Sequence, residues 1–240
     1  MTPGLFVTGT DTGIGKTLVT AGLARLLTSQ VRVGVVKPIE SGCELDASGQ
    51  SIPADAMRLR EAARATDLPL EEVVAYTLRV PLAPAVAARE EGVTIEPDRA
   101  LRLIRRARSR SEFVFVEGPG GLLVPLAPGT PYFTVADLIE ASDLPVLLVA
   151  SASLGTLNHT LLTARELERR RIPLFGVILN HLSSKEGPEV ATNPRVLAEY
   201  GIRILAELPF LPAPSIEAAA EALTRAISPA QFRAEVSALC

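Results

Sequence analysis

The residues best suited to chemistry stand together in Gly9-Thr10-Asp11-Thr12-Gly13-Ile14-Gly15-Lys16-Thr17. Three physical needs of a polyphosphate site meet in that segment. Glycines let backbone N–H groups turn inward toward phosphate oxygens, and a helix opening behind them adds the positive end of its dipole. Lys16 can reach the β- and γ-phosphates, and the Thr17 hydroxyl can ligate magnesium. The spacing departs from the usual loop, because five residues rather than four separate Gly9 from Gly15. The apolar run Leu5-Phe6-Val7-Thr8 before the segment and the helical pattern from Leu18 after it supply the strand–loop–helix context such a loop requires. A nucleoside triphosphate, taken to be ATP, with magnesium is therefore expected.

A nucleotide loop needs further oxygen ligands for its metal. The apolar run Phe113-Val114-Phe115-Val116 ends in Glu117, followed by Gly118-Pro119-Gly120-Gly121, which places an acid at the end of a buried strand. Asp55 is a second candidate, although spacing alone does not bring it to the loop. Lys37 ends another apolar run and precedes Pro38 and Ser41-Gly42; it is either an ordinary strand-end lysine or a cation that stabilises transferred phosphoryl charge. The residues alone support a magnesium-dependent nucleotide hydrolase or phosphoryl-transfer enzyme, with the acceptor open.

The elements that must position these groups follow from hydrophobic patterning. Leu5 to Thr8, Val31 to Val36, Phe113 to Val116, Pro145 to Val149, Leu174 to Leu179 and Ile202 to Leu205 read as strands without polar alternation, as strands covered on both faces do. Helical periodicity lies between several of them. Leu18 to Leu27 carries Val19, Leu23, Leu26 and Leu27 on one side, and Leu157 to Leu167 carries Leu157, Leu161, Leu162 and Leu167. Pro97 can open the helix through Leu101 and Ile104. Strands alternating with helices imply an α/β fold of the three-layer P-loop NTPase type, its mostly parallel sheet covered by helices on both faces. Glu40 to Gly92, with short helices and several prolines, reads as an insertion over the carboxyl edge of the sheet, where ligands bind in open α/β folds. Pro128 to Pro131 and Pro209 to Pro214 read as loops rather than boundaries, so residues 1–240 are expected to form one domain.

Composition excludes several classes. The net charge is −3 and charged residues make up 21% of the 240, which gives no electrostatic case for a nucleic-acid partner. The local basic runs, Arg105, Arg106, Arg108 and Arg110, then Arg169, Arg170 and Arg171, sit near predicted helix C-termini, where cations suit the helix dipole. Cys43 and Cys240 stand too far apart in isolation to suggest a zinc site or a disulfide framework. No secretory pattern opens the chain and no run is long enough to span a membrane, so a cytoplasmic protein without membrane attachment is expected.

Taken together, VTGTDTGIGKT (Val7 to Thr17), VVKPIESG (Val35 to Gly42), VEGPGGLLVPL (Val116 to Leu126), LPVLLVA (Leu144 to Ala150) and LGTLNHTLLTA (Leu154 to Ala164) resemble the dethiobiotin synthetase family, in the family's order and over about the whole chain. The resemblance implies a homodimer with its active site near the interface. The implied substrates are 7,8-diaminononanoate, carbon dioxide and ATP, and the implied products are dethiobiotin, ADP and phosphate. It further implies that a substrate carbamate attacks the γ-phosphate, giving a carbamic-phosphoric anhydride that the second amine closes into a ring.

Carried over by motif, Lys16, Lys37 and Thr12 would be catalytic. Thr17, Asp55 and Glu117 would hold magnesium. Gly13, Ile14, Gly15, Lys16, Thr17, Leu18, Glu117, Gly118, Asn180 and Pro209 would contact the nucleotide, with Asn180 at the adenine edge. Thr12, Lys37 and Ser41 would contact the substrate, and Gly155 and Asn158 would receive its carboxylate from the partner subunit; the N–H groups of a helix N-terminus suit that last role.

This chain departs from the family's commoner pattern at Gly13, at Ala83-Pro84-Ala85, at His181 after Asn180, and in lacking a tyrosine between Ser183 and Pro194. Two rival readings remain, the first of which shares the fold. A partner-switching ATPase of the septum- or plasmid-positioning kind would carry a lysine near the start of the loop, where Thr10-Asp11-Thr12 stands. Its membrane-targeting version would want a basic amphipathic tail, whereas Ile216 to Leu239 is alanine-rich with Glu217, Glu221 and Glu235. An amidotransferase ligase of corrinoid synthesis would need a glutamine-hydrolysing domain as well.

Overall fold

The computed structural model describes every residue except Met1, Glu186 and Cys240; the expectation that Cys240 is isolated thus lies outside the described residues. In chain order the elements begin β1 (Gly4–Gly9), α1 (Lys16–Leu27), β2 (Val33–Val36), β3 (Ile39–Ser41), β4 (Glu44–Leu45), β5 (Ser51–Ile52), α2 (Ala54–Ala62), β6 (Tyr76–Leu78), α3 (Pro84–Glu90) and α4 (Pro97–Arg110). They continue with β7 (Phe113–Gly121), β8 (Pro125–Ala127), β9 (Phe133–Thr134), α5 (Val135–Ser142), β10 (Val146–Ser151), α6 (Thr156–Arg169) and β11 (Leu174–Asn180). The last are α7 (Glu189–Glu199), β12 (Ile204–Leu208), α8 (Ile216–Thr224) and α9 (Pro229–Ser237).

The main sheet has the order β12-β11-β10-β1-β7-β2, and all of its pairings are parallel. Successive strand residues face opposite sides, which divides the core in two. Leu5, Val7, Val33, Val35, Phe113 and Phe115 pack with α1, α2, α8 and α9. Phe6, Val36, Val114 and Val116 pack with residues of α3, α4, α5, α6 and α7. This is the helix–sheet–helix layering that uninterrupted apolar strands predict. Where β1 lies between β7 and β10, its carboxyl end opens onto the segment after Gly9.

The residues between β2 and α4 form the expected insertion, which contains strands that its proline-rich sequence hides. β3 pairs with β6 in parallel, and β4 with β5 antiparallel. Pro97 opens α4 as the first helical residue. The alanine-rich tail forms α8 and α9, and its small residues let α8 approach α1 closely: a Cβ on Gly22 would lie 3.0 Å from the Cβ of Ala219.

Two strand boundaries and one helix face need correction. Val31 belongs to the turn closing α1, because its N–H donates to Leu27 O, and β2 starts at Val33. Ile202 similarly donates to Leu197 O behind α7, so β12 runs over Ile204–Leu208. On α6, Leu167 is buried and Leu157 and Leu161 pack against the core, whereas Leu162 is 62% exposed.

The basic runs lie mostly exposed toward helix ends, with most of their arginines paired to neighbouring groups. Arg106 and Arg110 pair with Glu72, Arg108 donates to Ser142 O and Thr2 O, and Arg169 and Arg170 pair with Glu166. Among the described residues no helix is long and apolar enough to cross a membrane.

Candidate active site

The loop joins the end of β1 to the start of α1, so the first N–H groups of α1 face the space above the sheet. Gly15 caps α1 in the left-handed region at φ 83°, and a Cβ there would strike the Asn180 amide. Glycine is required at that position on both counts. Gly13 is also left-handed, at φ 74°, but a Cβ there would meet nothing within 4 Å. The departure at Gly13 is therefore a matter of backbone preference rather than space. Lys16 Nζ donates to Asp11 O at 2.8 Å, which curls the side chain back under the loop.

Parallel pairing sets Val36 beside Val116, so Lys37, just past the end of β2, stands beside Glu117, which lies within β7 rather than at the strand end expected, because that strand continues pairing with β1 as far as Gly121. Both continue the odd-numbered face that carries Val35 and Phe115 toward α1. Lys37 is only 4% exposed and Glu117 is fully buried, which removes the reading of Lys37 as a surface lysine. Its Nζ donates to Glu117 Oε1 at 2.6 Å and lies 3.0 Å from Asp55 Oδ2. Thr17 Oγ1 donates to the same Glu117 oxygen at 2.7 Å. Asp55, which spacing could not place, arrives in the first turn of α2.

The electrostatics follow from this packing. Burial opposes the Lys37 charge, but Glu117 and Asp55 outweigh it and raise the ammonium above its ordinary range. Burial likewise pushes the Asp55 carboxyl up, and the adjacent Lys37 more than offsets this, leaving it below its ordinary value. Among the described residues no carboxylate forms an ion pair with Lys16. Burial first, and repulsion from Lys37 second, lower it to about 8.

The cleft, with a volume of about 330 Å³, brings together Thr12, Gly13, Gly15, Lys16, Thr17, Leu18, Lys37, Ser41, Asp55 and Glu117. Ile14 is buried beneath it, with its carbonyl accepting from Asn180 Nδ2 at 2.8 Å. Gly118 faces away, toward the Phe6 ring, while the next residues, Pro119 and Gly120, line the cleft. Pro209 follows β12 directly and is exposed. Gly155 and Asn158, at the exposed N-terminus of α6, do not line this cleft.

Sequence reasoning missed two charged residues in the same cleft, Glu40 and Arg58. Arg58 had a usable signal, lying three residues after Asp55 and so on the same helix face. Cys43 is buried and its thiol is pushed up to about 11, chiefly by burial, so it is no reactive thiolate.

The donor set suits magnesium. It consists of hard oxygens, a hydroxyl and two carboxylates, and Glu117 Oε2 is buried without a hydrogen-bond partner. Among the described residues no cage of three or more His, Cys, Asp or Glu side chains gathers.

Comparison with known proteins identifies the family. A family model described as an AAA domain matches residues 3–218. The ATP-dependent dethiobiotin synthetase of Anaeromyxobacter dehalogenans (strain 2CP-C) is 46% identical over 211 residues, covering 87% of this chain and 91% of that protein. The synthetase of Bacillus licheniformis is 44% identical over 210 residues, covering 87% and 86%. Among solved structures, the ParA family ATPase from Chlorobium tepidum TLS superposes with a TM-score of 0.55 at 17% identity, covering 96% of this chain and 92% of that one. The cell division ATPase MinD of Pyrococcus furiosus gives 0.55 at 18% identity, covering 100% of both. These two likenesses establish a shared P-loop fold and nothing about activity. The sequence relatives decide between the readings that this fold leaves open: the chain belongs to the dethiobiotin synthetase family.

Proposed function

We propose that residues 1–240 act as a single ATP-dependent carboxylate-activating domain that closes 7,8-diaminononanoate and carbon dioxide into dethiobiotin, releasing ADP and phosphate. The observation that carries this reading is the convergence of Lys16, Lys37, Thr17, Asp55 and Glu117 on one cleft, in a chain 46% identical to a dethiobiotin synthetase.

In this account the N–H groups from Gly13 to Leu18 and the Lys16 ammonium bind the phosphates. Thr17, Asp55 and Glu117 would hold magnesium, which when bound would supply positive charge to neutralise the phosphates. Thr12 and Ser41 orient the substrate carbamate as it attacks the γ-phosphorus. Oxygen–phosphorus bond formation expels ADP and leaves the carbamic-phosphoric anhydride. Attack by the second amine then forms the C–N bond, releases phosphate and closes the ring. Lys37, fixed between two carboxylates, presents positive charge where the transferred phosphoryl group gathers negative charge. Asn180 spends one amide hydrogen on Ile14 O, which leaves its carbonyl for the adenine amino group beside Pro209. Phosphate release from ATP is expected only when diaminononanoate and bicarbonate are both present. Rapid hydrolysis with neither, or activation by DNA or a protein partner, would overturn the reading.

The proposal includes a homodimer in which Gly155 and Asn158 serve the partner's cleft. Leu154, in the turn before α6, and Leu162, one helical turn beyond Asn158 on α6, support it, being 85% and 62% exposed. Leu162→Glu is expected to shift the sedimenting species from dimer to monomer. An unchanged dimer would place the interface elsewhere.

A further inference from the structure

Helix α2 carries Asp55 in its first turn, yet it lacks a local cap. Its N-cap is Pro53, with no side-chain hydrogen bond to the helix. The first N–H groups of a helix need acceptors, and here a residue far back in the sequence provides them. Glu40 Oε1 accepts from Asp55 N at 2.9 Å and Glu40 Oε2 from Ala56 N at 3.0 Å. Glu40 is 6% exposed. It is held on β3, opposite Thr77 of β6, and its carbonyl accepts from the Cys43 thiol. Burying a carboxylate is costly unless it is hydrogen-bonded, and both oxygens of this one are spent on the turn that presents Asp55 to Lys37. The position of Asp55 relative to Glu117 is thus tied to β3 through Glu40.

We infer that Glu40 is a positioning residue for the metal and phosphate site, its carboxylate gripping the first turn of α2 and fixing Asp55 in the cleft. The inference rests on the reading of Asp55 as a metal ligand. It requires no contact between Glu40 and the nucleotide or substrate.

The test is manganese binding to the full chain with ADP, followed by electron paramagnetic resonance, together with amide exchange across α2. Glu40→Ala is expected to weaken manganese binding about tenfold, the scale of losing a helix cap. Its Asp55 and Ala56 amides should exchange faster, while amides of α1 and β7 keep their protection. Glu40→Gln retains one acceptor oxygen and should fall between. Adding Pro53→Ser to Glu40→Ala gives α2 a local cap and is expected to restore manganese affinity, which a direct role of Glu40 at the substrate would not allow. Manganese affinity in Glu40→Ala within about twofold of wild type, against the tenfold scale of a cap, or no recovery in the double variant, would overturn the inference. Equal manganese binding by wild type and Asp55→Asn would overturn the ligand assignment beneath it, separately from whether the enzyme makes dethiobiotin.

Discussion

Replacing Lys37 with alanine is expected to lower turnover about 10²–10³-fold, the scale of removing one preorganised charge from a transition state, while leaving ATP binding nearly unchanged. The two effects separate because different groups serve them. The phosphates are gripped by the loop backbone and Lys16, and Lys37 stands off the loop between Glu117 and Asp55. A second consequence follows from burial. Without Lys37 the fully buried Glu117 loses its cation, and breaking a buried pair on one side costs about 3–5 kcal/mol. Magnesium should therefore raise the melting temperature of Lys37→Ala more than that of the wild type. Single-turnover rates, ATP calorimetry and melting curves with and without magnesium check these points. Unchanged turnover would return Lys37 to a purely structural ion pair.

ATP affinity is expected to fall by up to tenfold per pH unit above about pH 8. Lys16 is lowered to about 8 in the nucleotide-free protein, by burial first and by Lys37 second, with Glu117, Asp55 and Asp11 only partly compensating. Phosphate oxygens arriving at the loop favour the ammonium, so above that pH the site must take up a proton in order to bind, and below it need not. Calorimetry in buffers of different ionisation enthalpy would show uptake approaching one proton between pH 8 and 10. The same shift affects folding. Between about 8 and the ordinary value of 10.5, the unfolded chain holds a proton that the folded chain has released, so this group's contribution to the stability of the nucleotide-free protein rises with pH. Affinity flat from pH 7 to 10 would mean that Lys16 keeps its charge throughout.

The parts of the site that were legible in the sequence are those written contiguously or at strand ends. Gly9 to Thr17 announces itself because backbone, dipole, amine and hydroxyl all lie within one turn of chain. Lys37 and Glu117 were visible as polar residues ending apolar runs, but their contact depends on β2 and β7 pairing in one register, which no local pattern encodes. Asp55 reaches them because an insertion folds over the sheet edge. Glu40 lay within a quoted motif and was still missed, since an acid on a short strand capping a helix fifteen residues later leaves no periodic trace. The layered fold was legible from unbroken Val, Ile and Leu strands. The short strands β3, β4, β5 and β6 were not, because two or three residues amid prolines carry too little pattern. Leu162 was misplaced because an apolar residue next to a helix's buried stripe fits the same 3.6-residue period, yet it is 62% exposed on α6.

The central claim is that this cleft couples ATP cleavage to ring closure, and product analysis tests it most directly. Purified protein given ATP, magnesium, diaminononanoate and ¹³C-bicarbonate is expected to form dethiobiotin with the label in its ureido carbonyl, one molecule for each ADP, and to release almost no phosphate when either diaminononanoate or bicarbonate is left out. Phosphate release that proceeds without them, with no labelled dethiobiotin by mass spectrometry, would contradict the account.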